Sequence, residues 1–385
     1  MVKGQRRTFS HLCEHGAELR GCLWIHAASL GEFEQGRPLI ERLRREHPEK
    51  KILLTFFSPS GYEVRKNYPQ VDYVAYLPFD TPRNARRFLD AVRPSMAIFV
   101  KYEFWGNFLE QLAKRNIPTY IISAIFRPKQ VFFKWYGREF RRILRSFTHL
   151  YLQDEASARL LKGIGMENTT VAGDTRFDRV TDILSSAAEV FAIERFGTDA
   201  KMRIVFGSSW GVDEEKYIPW LNEHPEVAAI IAPHEFNEQR LEQIEHSLKG
   251  KVMRLSQWEK AWRDGGEAAD VKTLIVDSFG KLATLYRYGD AAYVGGGFGV
   301  GIHNINEAAV YGIPVIFGPN YAKFKEARDM VEIGAAITVS DGVALRQALT
   351  QMLTDPQLRR EIGAKAGEYI KRNLGATDLI YSRLF

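Results

Sequence analysis

Residues 291–319, AAYVGGGFGVGIHNINEAAVYGIPVIFGP, join an apolar strand to a three-glycine turn, a polar cluster and a new helix. Tyr293 and Val294 end a buried-strand pattern. Gly295, Gly296 and Gly297 follow, where the missing Cβ atoms would let a bound group approach the backbone closely. His303, Asn304, Asn306 and Glu307 fall where the next helix should begin, so two amides and a carboxylate would face sugar hydroxyls while helix N–H groups face an anion. The junction is expected to bind a phosphate. A tight strand-to-helix turn uses glycines too, but the polar cluster and the second strand at 314–317, closed by Gly318-Pro319, favour binding.

Working outward, short apolar runs rich in aromatic and β-branched residues recur along the whole chain. The second half carries RIVFGSS (203–209), VAAIIAP (227–233), KVMRLS (251–256), TLIVD (273–277), AAYVGG (291–296), PVIFGP (314–319) and AAITVS (335–340). The first half carries CLWIHAA (22–28), KILLTFF (51–57), DYVAYLP (72–78), SMAIFV (95–100), PTYIISA (118–124) and THLYLQ (148–153). Helical patterns such as GEFEQGRPLIERLRREH lie between them. The alternation predicts an α/β protein with parallel sheets covered on both faces. At 385 residues the chain suits two Rossmann-like domains rather than one core. The expected division is 1–185, 186–365 and a C-terminal helix at 366–385 that packs back towards the first domain, with 178–200 as the connection.

The composition, 45% hydrophobic and 26% charged, is that of a water-soluble globular protein. Cys13 and Cys22, without CxxC spacing, indicate neither a disulfide framework nor a structural zinc site, and a reducing cytoplasm is expected. The net charge of +6 argues only weakly for an anionic partner. No run of about 18 apolar residues is present, and MVKGQRRTFSH has no apolar core of a signal peptide.

In open α/β sheets ligands sit beyond the carboxyl ends of strands. After the first strand comes His26-Ala-Ala-Ser29-Leu-Gly31-Glu32, with Glu32 in the first helical turn. The helix dipole favours a negative charge there, so Glu32 is the candidate base; a purely helix-starting role is the alternative. Ser29, Gly31, Lys101, Glu103 and Arg127, all after first-half strands, are candidate acceptor contacts, with Trp105 beside them as a sugar-facing ring. In the second half, Gly207-Ser208-Ser209-Trp210, Pro233-His234 and Phe279-Gly280-Lys281 join the 295–307 turn as candidate donor contacts, and Asp277 or Ser278 is a candidate helix cap.

Residues 126–147, FRPKQVFFKWYGREFRRILRSF, interleave seven basic residues (Arg127, Lys129, Lys134, Arg138, Arg141, Arg142, Arg145) with Phe126, Phe132, Phe133, Trp135, Tyr136, Phe140 and Phe147 around the single acid Glu139. Such a segment suits an anionic membrane surface. An amphipathic helix with its aromatics in the core is the alternative, and no RNA-binding signature points to nucleic acid.

WIHAASLGEFEQGRPLIERLR (24–44), VKYEFWGNFL (100–109), GDTRFDRV (173–180), GSSW (207–210) and VGGGFGVGIHNINEAAVYGIPVIFGPNYAKFKEA (294–327) together resemble the 3-deoxy-D-manno-octulosonic acid (Kdo) transferases of lipopolysaccharide synthesis. The resemblance implies a GT-B fold, two Rossmann-like domains whose parallel sheets face a central cleft, with an acceptor domain first and a CMP-sugar domain second. It implies CMP-Kdo as donor, a lipid A precursor as acceptor and inversion at the anomeric carbon. It further implies that Glu32, in the S-x-G-E motif, is the proton acceptor, and that CMP contacts fall on Pro233-His234, Phe279-Gly280-Lys281 and Asn304 to Glu307. Where the family has Pro-Arg and Met-Gly-Glu, this chain has His234 and Lys281, which alters the charge offered to the donor phosphate. The family's apolar N-terminal anchor is not seen ahead of the matched region. The expected location is the cytoplasmic face of the bacterial inner membrane, attached through 126–147, or free in solution without such an anchor.

The chemistry asks for little else. A base must take the proton of the acceptor hydroxyl, whereas a nucleotide phosphate leaves without an acid, so one carboxylate suffices where most glycosidases use two. No Asp-x-Asp motif lies at a strand end, and neither a metal nor a cofactor is expected. Lys101, Arg127 and Lys281 are candidate groups to neutralise donor charge. Two other readings stand beside this one: a nucleotide-sugar epimerase or hydrolase of the same shape, and a non-catalytic lipid-binding homologue.

Overall fold

The computed structural model describes residues 2–186, 191–265 and 270–385. The chain divides into two units, Met1–Arg179 with Asn373–Phe385, and Val180–Arg372. Of the expected connection, 187–190 lie outside the described residues, and helices Arg176–Ser186 and Phe191–Glu194 flank them. The side chain of Cys13 also lies outside the described residues; Cys22 is a buried free thiol.

The first unit carries β1 (Leu23–His26), β2 (Ile52–Phe56), β3 (Tyr73–Tyr76), β4 (Met96–Val100), β5 (Thr119–Ala124), β6 (His149–Leu152) and β7 (Thr169–Val171). They form one parallel sheet in the order β3-β2-β1-β4-β5-β6-β7. The second unit carries β8 (Met202–Ser209), β9 (Val227–Pro233), β10 (Lys251–Arg254), β11 (Val271–Ile275), β12 (Ala291–Val294), β13 (Val315–Phe317) and β14 (Ala336–Thr338). These form a second parallel sheet, ordered β10-β11-β9-β8-β12-β13-β14. Every apolar run read from the sequence holds a strand. β7 lies outside those runs: three residues, Thr-Thr-Val, are too short and too polar to stand out.

Both faces of each sheet are buried, which is why its strands read as unbroken apolar runs. In the first unit Trp24, Leu53, Ala97 and Phe99 pack to one side and Leu23, Ile25, Ile98 and Val100 to the other. Trp24 is fully buried, 4.8 Å from Phe88 and 5.2 Å from Phe99 between ring centroids, and its indole N–H donates to Thr55 Oγ1 at 2.8 Å. In the second unit Phe206 stacks on Tyr217 at 3.9 Å beneath β8.

Strand order sets where a ligand can enter. Connections leave β1 and β4 in opposite directions across the sheet, as they do β8 and β12, and a parallel sheet opens a crevice at such a switch point. Glu32 follows β1, Lys101 to Trp105 follow β4, Ser209-Trp210 end β8, and the glycine triplet follows β12.

The last helix, Ala376–Leu384, lies on the helix Leu30–Glu46. Ile380 is fully buried there, Arg42 stacks 4.0 Å over the Tyr381 ring, and Tyr381 Oη meets His47 Nε2 at 3.0 Å. Its N-terminus is capped from elsewhere in the chain: the Asp178 carboxylate accepts the N–H groups of Gly375 (2.7 Å) and Thr377 (2.6 Å). Removing that cap in Asp178→Ala is expected to cost about 1 kcal/mol, in the range of other N-cap losses. A urea midpoint lowered accordingly, with faster amide exchange confined to 376–384, checks it.

Candidate active site

Glu32 is the third residue of its helix, and its carboxylate reaches back to the residue that caps it. Oε2 accepts the Ser29 N–H at 2.8 Å and also the Ser29 hydroxyl. This is the S-x-x-E capping box, so the helix-starting role is real and Ser29 is occupied by it. No hydrogen bond to Oε1 occurs among the described residues, and the side chain is only half-buried. A Cβ at Gly31 would meet nothing nearer than Ser29 Oγ at 3.9 Å, so no close packing requires that glycine.

Around Glu32 the first unit gathers charge. Burial raises the Tyr102 phenol and the Glu32 carboxylate adds to this, while Arg127, which hydrogen-bonds it, and Arg176 pull the other way. Lys101 adopts φ 69°, left-handed and costly for a lysine, with its ammonium 5.2 Å from the Tyr102 ring. Glu103, expected to contact acceptor, turns inward instead. Only 8% exposed, its Oε2 faces His26 Nε2 at 3.2 Å and accepts the Trp105 indole N–H. His26 is itself fully buried, its Nδ1 set 2.9 Å from Thr55 Oγ1 and 3.1 Å from Thr55 O. The pair fixes the end of β4 against β1 and β2, so Glu103 builds the site from beneath.

Reading the sequence missed Asp174 and Arg176, because β7 ahead of them was not seen. Asp174 Oδ2 accepts Arg176 Nη2 at 2.7 Å and Nε at 3.0 Å, and Oδ1 accepts the Arg176 N–H at 3.0 Å. Gln35 Nε2, one turn beyond Glu32, reaches both oxygens at 3.0 and 3.1 Å. Burial would raise the Asp174 carboxyl, but Arg176 and these donors hold it below the usual range.

The glycine triplet is used differently from the sequence expectation. A Cβ on Gly295 would lie 2.3 Å from Ser208 O, and one on Gly297 2.6 Å from the backbone of Gly318; Gly296 has φ 87°. Close packing of backbone on backbone, not approach of a ligand, therefore demands these glycines. Two of their amides are also occupied: Gly295 N donates to Gly207 O at 2.9 Å and Gly296 N to Asp213 Oδ2 at 3.0 Å. Asp213, fully buried, accepts the Trp210 N–H (2.9 Å) and the Tyr293 hydroxyl (2.6 Å) as well. The helix after the polar cluster, Asn306–Ala309, is a single turn, too short for the dipole expected of it.

The side chains of the second unit's switch point do converge. Trp210, His234 and His303 stack, with centroids 4.6 Å apart for Trp210–His234 and 4.2 Å for His234–His303. Trp210 Nε1 donates to His303 Nε2 at 3.1 Å, so that nitrogen carries no proton. His234 N donates to Ser209 O at 2.9 Å, tying the Pro233 turn to the end of β8. Asn304 Nδ2 donates to Glu307 Oε1 at 3.0 Å. Asn306 is fully buried, and among the described residues neither polar atom of its side-chain amide has a partner.

Other expected donor contacts are spent elsewhere. The Ser209 hydroxyl donates to Glu214 Oε1 at 3.0 Å, inside the core, and Glu214 also pairs with Arg240. A Cβ at Gly207 would strike the Tyr286 hydroxyl at 1.8 Å, another packing glycine. Ser208, at φ 50° in the β8–β9 bulge, makes no side-chain hydrogen bond within the described residues. Lys281 is held by Glu259 at 2.5 Å, and exposed Phe279, ahead of Gly280, stacks 4.6 Å from Phe236. Asp277 caps the neighbouring helix Leu255–Arg263 through Ser256 N at 3.1 Å, not the helix that follows it.

Burial, with His234 beside it, lowers His303 to about 4, against which Asp213 acts. A folded value below the unfolded one of roughly 6.5 means that the unfolded chain binds the extra proton. The stability due to neutral His303 is full above pH 6.5 and is lost as pH falls towards 4. His303→Gln should flatten the pH dependence of the urea midpoint across that window, and an unchanged slope would count against it.

Residues 4–179 match the family model described as 3-Deoxy-D-manno-octulosonic-acid transferase (kdotransferase). The chain is 27% identical to the 3-deoxy-D-manno-octulosonic acid transferase of Haemophilus influenzae over 378 residues, 94% of this chain and 86% of that protein. It is 28% identical to the Aquifex aeolicus protein of the same name over 352 residues, 87% of each. Among solved structures, the UDP-GlcNAc 2-epimerase of Neisseria meningitidis bound to UDP-GlcNAc superposes with a TM-score of 0.63, covering 94% of this chain and 99% of that one. At 16% identity that likeness shows the two-domain α/β fold alone. The match to that family model covers nearly all of the first unit's main segment, and 3-deoxy-D-manno-octulosonic acid transferases of 27–28% identity run along most of the chain.

Proposed function

We propose that the protein is an inverting glycosyltransferase that moves Kdo from CMP-Kdo to a hydroxyl of a lipid A precursor. The observation that carries this reading is Glu32: its Oε2 is fixed by Ser29 and its Oε1 has no hydrogen bond among the described residues, at the first unit's switch point, where Glu32, Arg127 and Arg176 all act on the Tyr102 phenol. In the proposed reaction the acceptor hydroxyl attacks the anomeric carbon, Oε1 takes its proton, and CMP leaves with the bonding pair. The likeness to that family supports the sugar transferred, and the ring stack of Trp210, His234 and His303 with the Asn306 amide, unpartnered among the described residues, supports a nucleotide-sugar site in the second unit. The donor contacts read from the sequence are narrowed to these side chains with Ser208, Asn304 and Glu307.

Glu32→Gln keeps the capping box, since glutamine serves there too, but cannot accept a proton. CMP release with CMP-Kdo and lipid A precursor should fall by about 10²- to 10⁴-fold while donor binding to the second unit is unchanged. Turnover retained by Glu32→Gln would remove the base assignment.

The 126–147 segment divides between two roles. Phe126, Phe132 and Phe147 are buried in the first unit's core, where the alternative reading placed the segment's aromatics. Trp135, at 91% exposed, Tyr136 and Phe140 stand out in solvent beside the exposed Arg138, Arg142 and Arg145. Arg141 is spent internally, donating to Phe132 O (2.8 Å) and Lys134 O (3.1 Å). No helix among the described residues is long and apolar enough to cross a membrane. We propose that the exposed aromatic and basic residues rest on the anionic inner leaflet, where the lipid acceptor resides. Charge reversal at Arg138, Arg142 and Arg145 should abolish sedimentation with anionic vesicles and leave thermal stability intact; Arg141→Glu should destabilise the fold instead.

A further inference from the structure

Three neighbouring segments of the first unit each end on an aromatic ring: Phe57 after β2, Phe79 after β3 and Trp105 after β4. Phe57 lies between the other two, its ring centroid 4.8 Å from that of Trp105 and 5.8 Å from that of Phe79. Their places are set by hydrogen bonds. Phe57 N donates to Ala28 O at 3.1 Å, one residue before the Ser29 that holds Glu32, so the cluster adjoins the proposed base. The Trp105 indole N–H is donated inward to Glu103, and Asn84 Nδ2 donates to Phe79 O at 3.0 Å. Asp80, next in the chain, accepts the Asn107 N–H at 3.1 Å and the Phe108 N–H at 3.2 Å, tying the Phe79 turn to the helix Gly106–Lys114. With its one polar side-chain atom turned inward, the cluster presents carbon alone, yet it is left uncovered: Phe79 is 46% exposed, and Phe57 and Trp105 are half-buried.

The apolar surface continues from there. A Cβ on Gly106 would lie 3.3 Å from Ile143 Cδ1 and 3.9 Å from Asp80 Oδ2, so the residue after Trp105 brings the rings up against Ile143. A groove of about 580 Å³, lined among others by Gly106, Asn107, Ala113, Phe140 and Ile143, runs on between the helices Gly106–Lys114 and Arg138–Leu144. Phe140, 45% exposed, belongs to the 126–147 surface assigned above to the anionic leaflet. A connected apolar strip backed by fixed rings is the form of a ligand groove and differs from singly scattered exposed residues.

We infer that the rings of Phe57, Phe79 and Trp105, with the groove from Gly106 to Phe140, take a hydrocarbon chain of the lipid acceptor and lead it from the leaflet to the strand ends where Glu32 stands. This rests on the proposed function and deepens it by naming what selects the acceptor. A hydrocarbon chain asks for no hydrogen bond, which suits a surface whose polar atoms are committed, and rings already held in place lose little freedom when it settles on them. A sugar would want a polar partner at the edge of such a platform, and the only N–H these side chains carry is spent on Glu103. Chain contacts are equally strong before and during the reaction, so they act on acceptor affinity and leave the proton transfer alone. Phe57, Phe79 and Trp105 are then specificity-determining residues, and Glu103 is a positioning residue acting through Trp105.

The test has two arms. Without any reaction, a monomeric fatty acid brominated along its chain is titrated into the full chain carrying Trp135→Phe, which removes a strongly exposed indole. Saturable quenching of tryptophan emission is expected, largely lost in Trp105→Phe and shifted to an apparent Kd about 10-fold higher by Phe79→Ala. Val64→Ala, at an exposed apolar residue of the helix Pro59–Arg65, is the control and should change nothing. In turnover, the acylated acceptor is compared with the same acceptor stripped of its acyl chains. Phe79→Ala, and Ala113→Trp, which fills the groove from an exposed helix position, should each lower the preference for the acylated form about 10-fold through KM, and Phe79→Leu should recover most of it. Equal losses on both acceptors would assign the rings to the sugar and overturn the inference, as would quenching that never saturates or is indifferent to Phe79→Ala. Should the wild type release no CMP from any mixture, the proposed function falls while the quenching still decides whether the strip takes a hydrocarbon chain.

Discussion

A parallel sheet has no solvated face, and this constraint governs both units. Once helices must cover each side, consecutive strands can only be joined by crossovers, and wherever the direction of crossing reverses, two neighbouring strand ends lose the connection that would otherwise roof them. β1 with β4, and β8 with β12, are those places. Packing alone therefore designates the ground on which chemistry is possible, and the chain fills it with groups that need fixing: Glu32 and the Lys101 to Trp105 turn at one, Trp210, His234 and His303 at the other.

Fixing is done by buried carboxylates. Glu103 braces His26 and Trp105, Asp174 braces Arg176 and Gln35, and Asp213 gathers Trp210 N, Gly296 N and Tyr293 Oη. An acid deprived of water is tolerated only with several donors around it, so each of these residues forces its neighbours into a single arrangement. The left-handed backbone at Lys101, Ser123 and Ser208 occurs at the same carboxyl strand ends. Strain there is held by the surrounding hydrogen bonds, as expected where side chains must be aimed.

The strands were legible because burial on both faces writes them as apolar runs, and Glu32 was legible because it stands in the first helical turn after the first strand. What stayed hidden depends on partners remote in the chain. No local rule tells whether a missing Cβ serves a ligand or another backbone; Gly295 faces Ser208 and Gly297 faces Gly318, and only the folded chain brings these together. Asp213 meets Tyr293 across the sheet, and Asp174 and Arg176 within GDTRFDRV were not read as site residues because the short strand before them, Thr169–Val171, carries too little apolar signal. The aromatics of 126–147 look alike in sequence, yet some fill the core and some are exposed, a division set by which of them the loop points at β4 and β5.

The occupied amides of the glycine turn change how an anion can be recognised in the second unit. A phosphate-binding turn works by presenting unpaired N–H groups, and here Asp213 already occupies that role for Gly296 and Trp210. A nucleotide phosphate brought to the same amides would meet a buried carboxylate of like charge, which is unfavourable at short range. Under the proposed function, recognition in this unit would then come from side chains above the turn. On that reading the stacked rings of Trp210, His234 and His303 would suit a base or sugar better than a phosphate, with the glycine turn as their rigid floor.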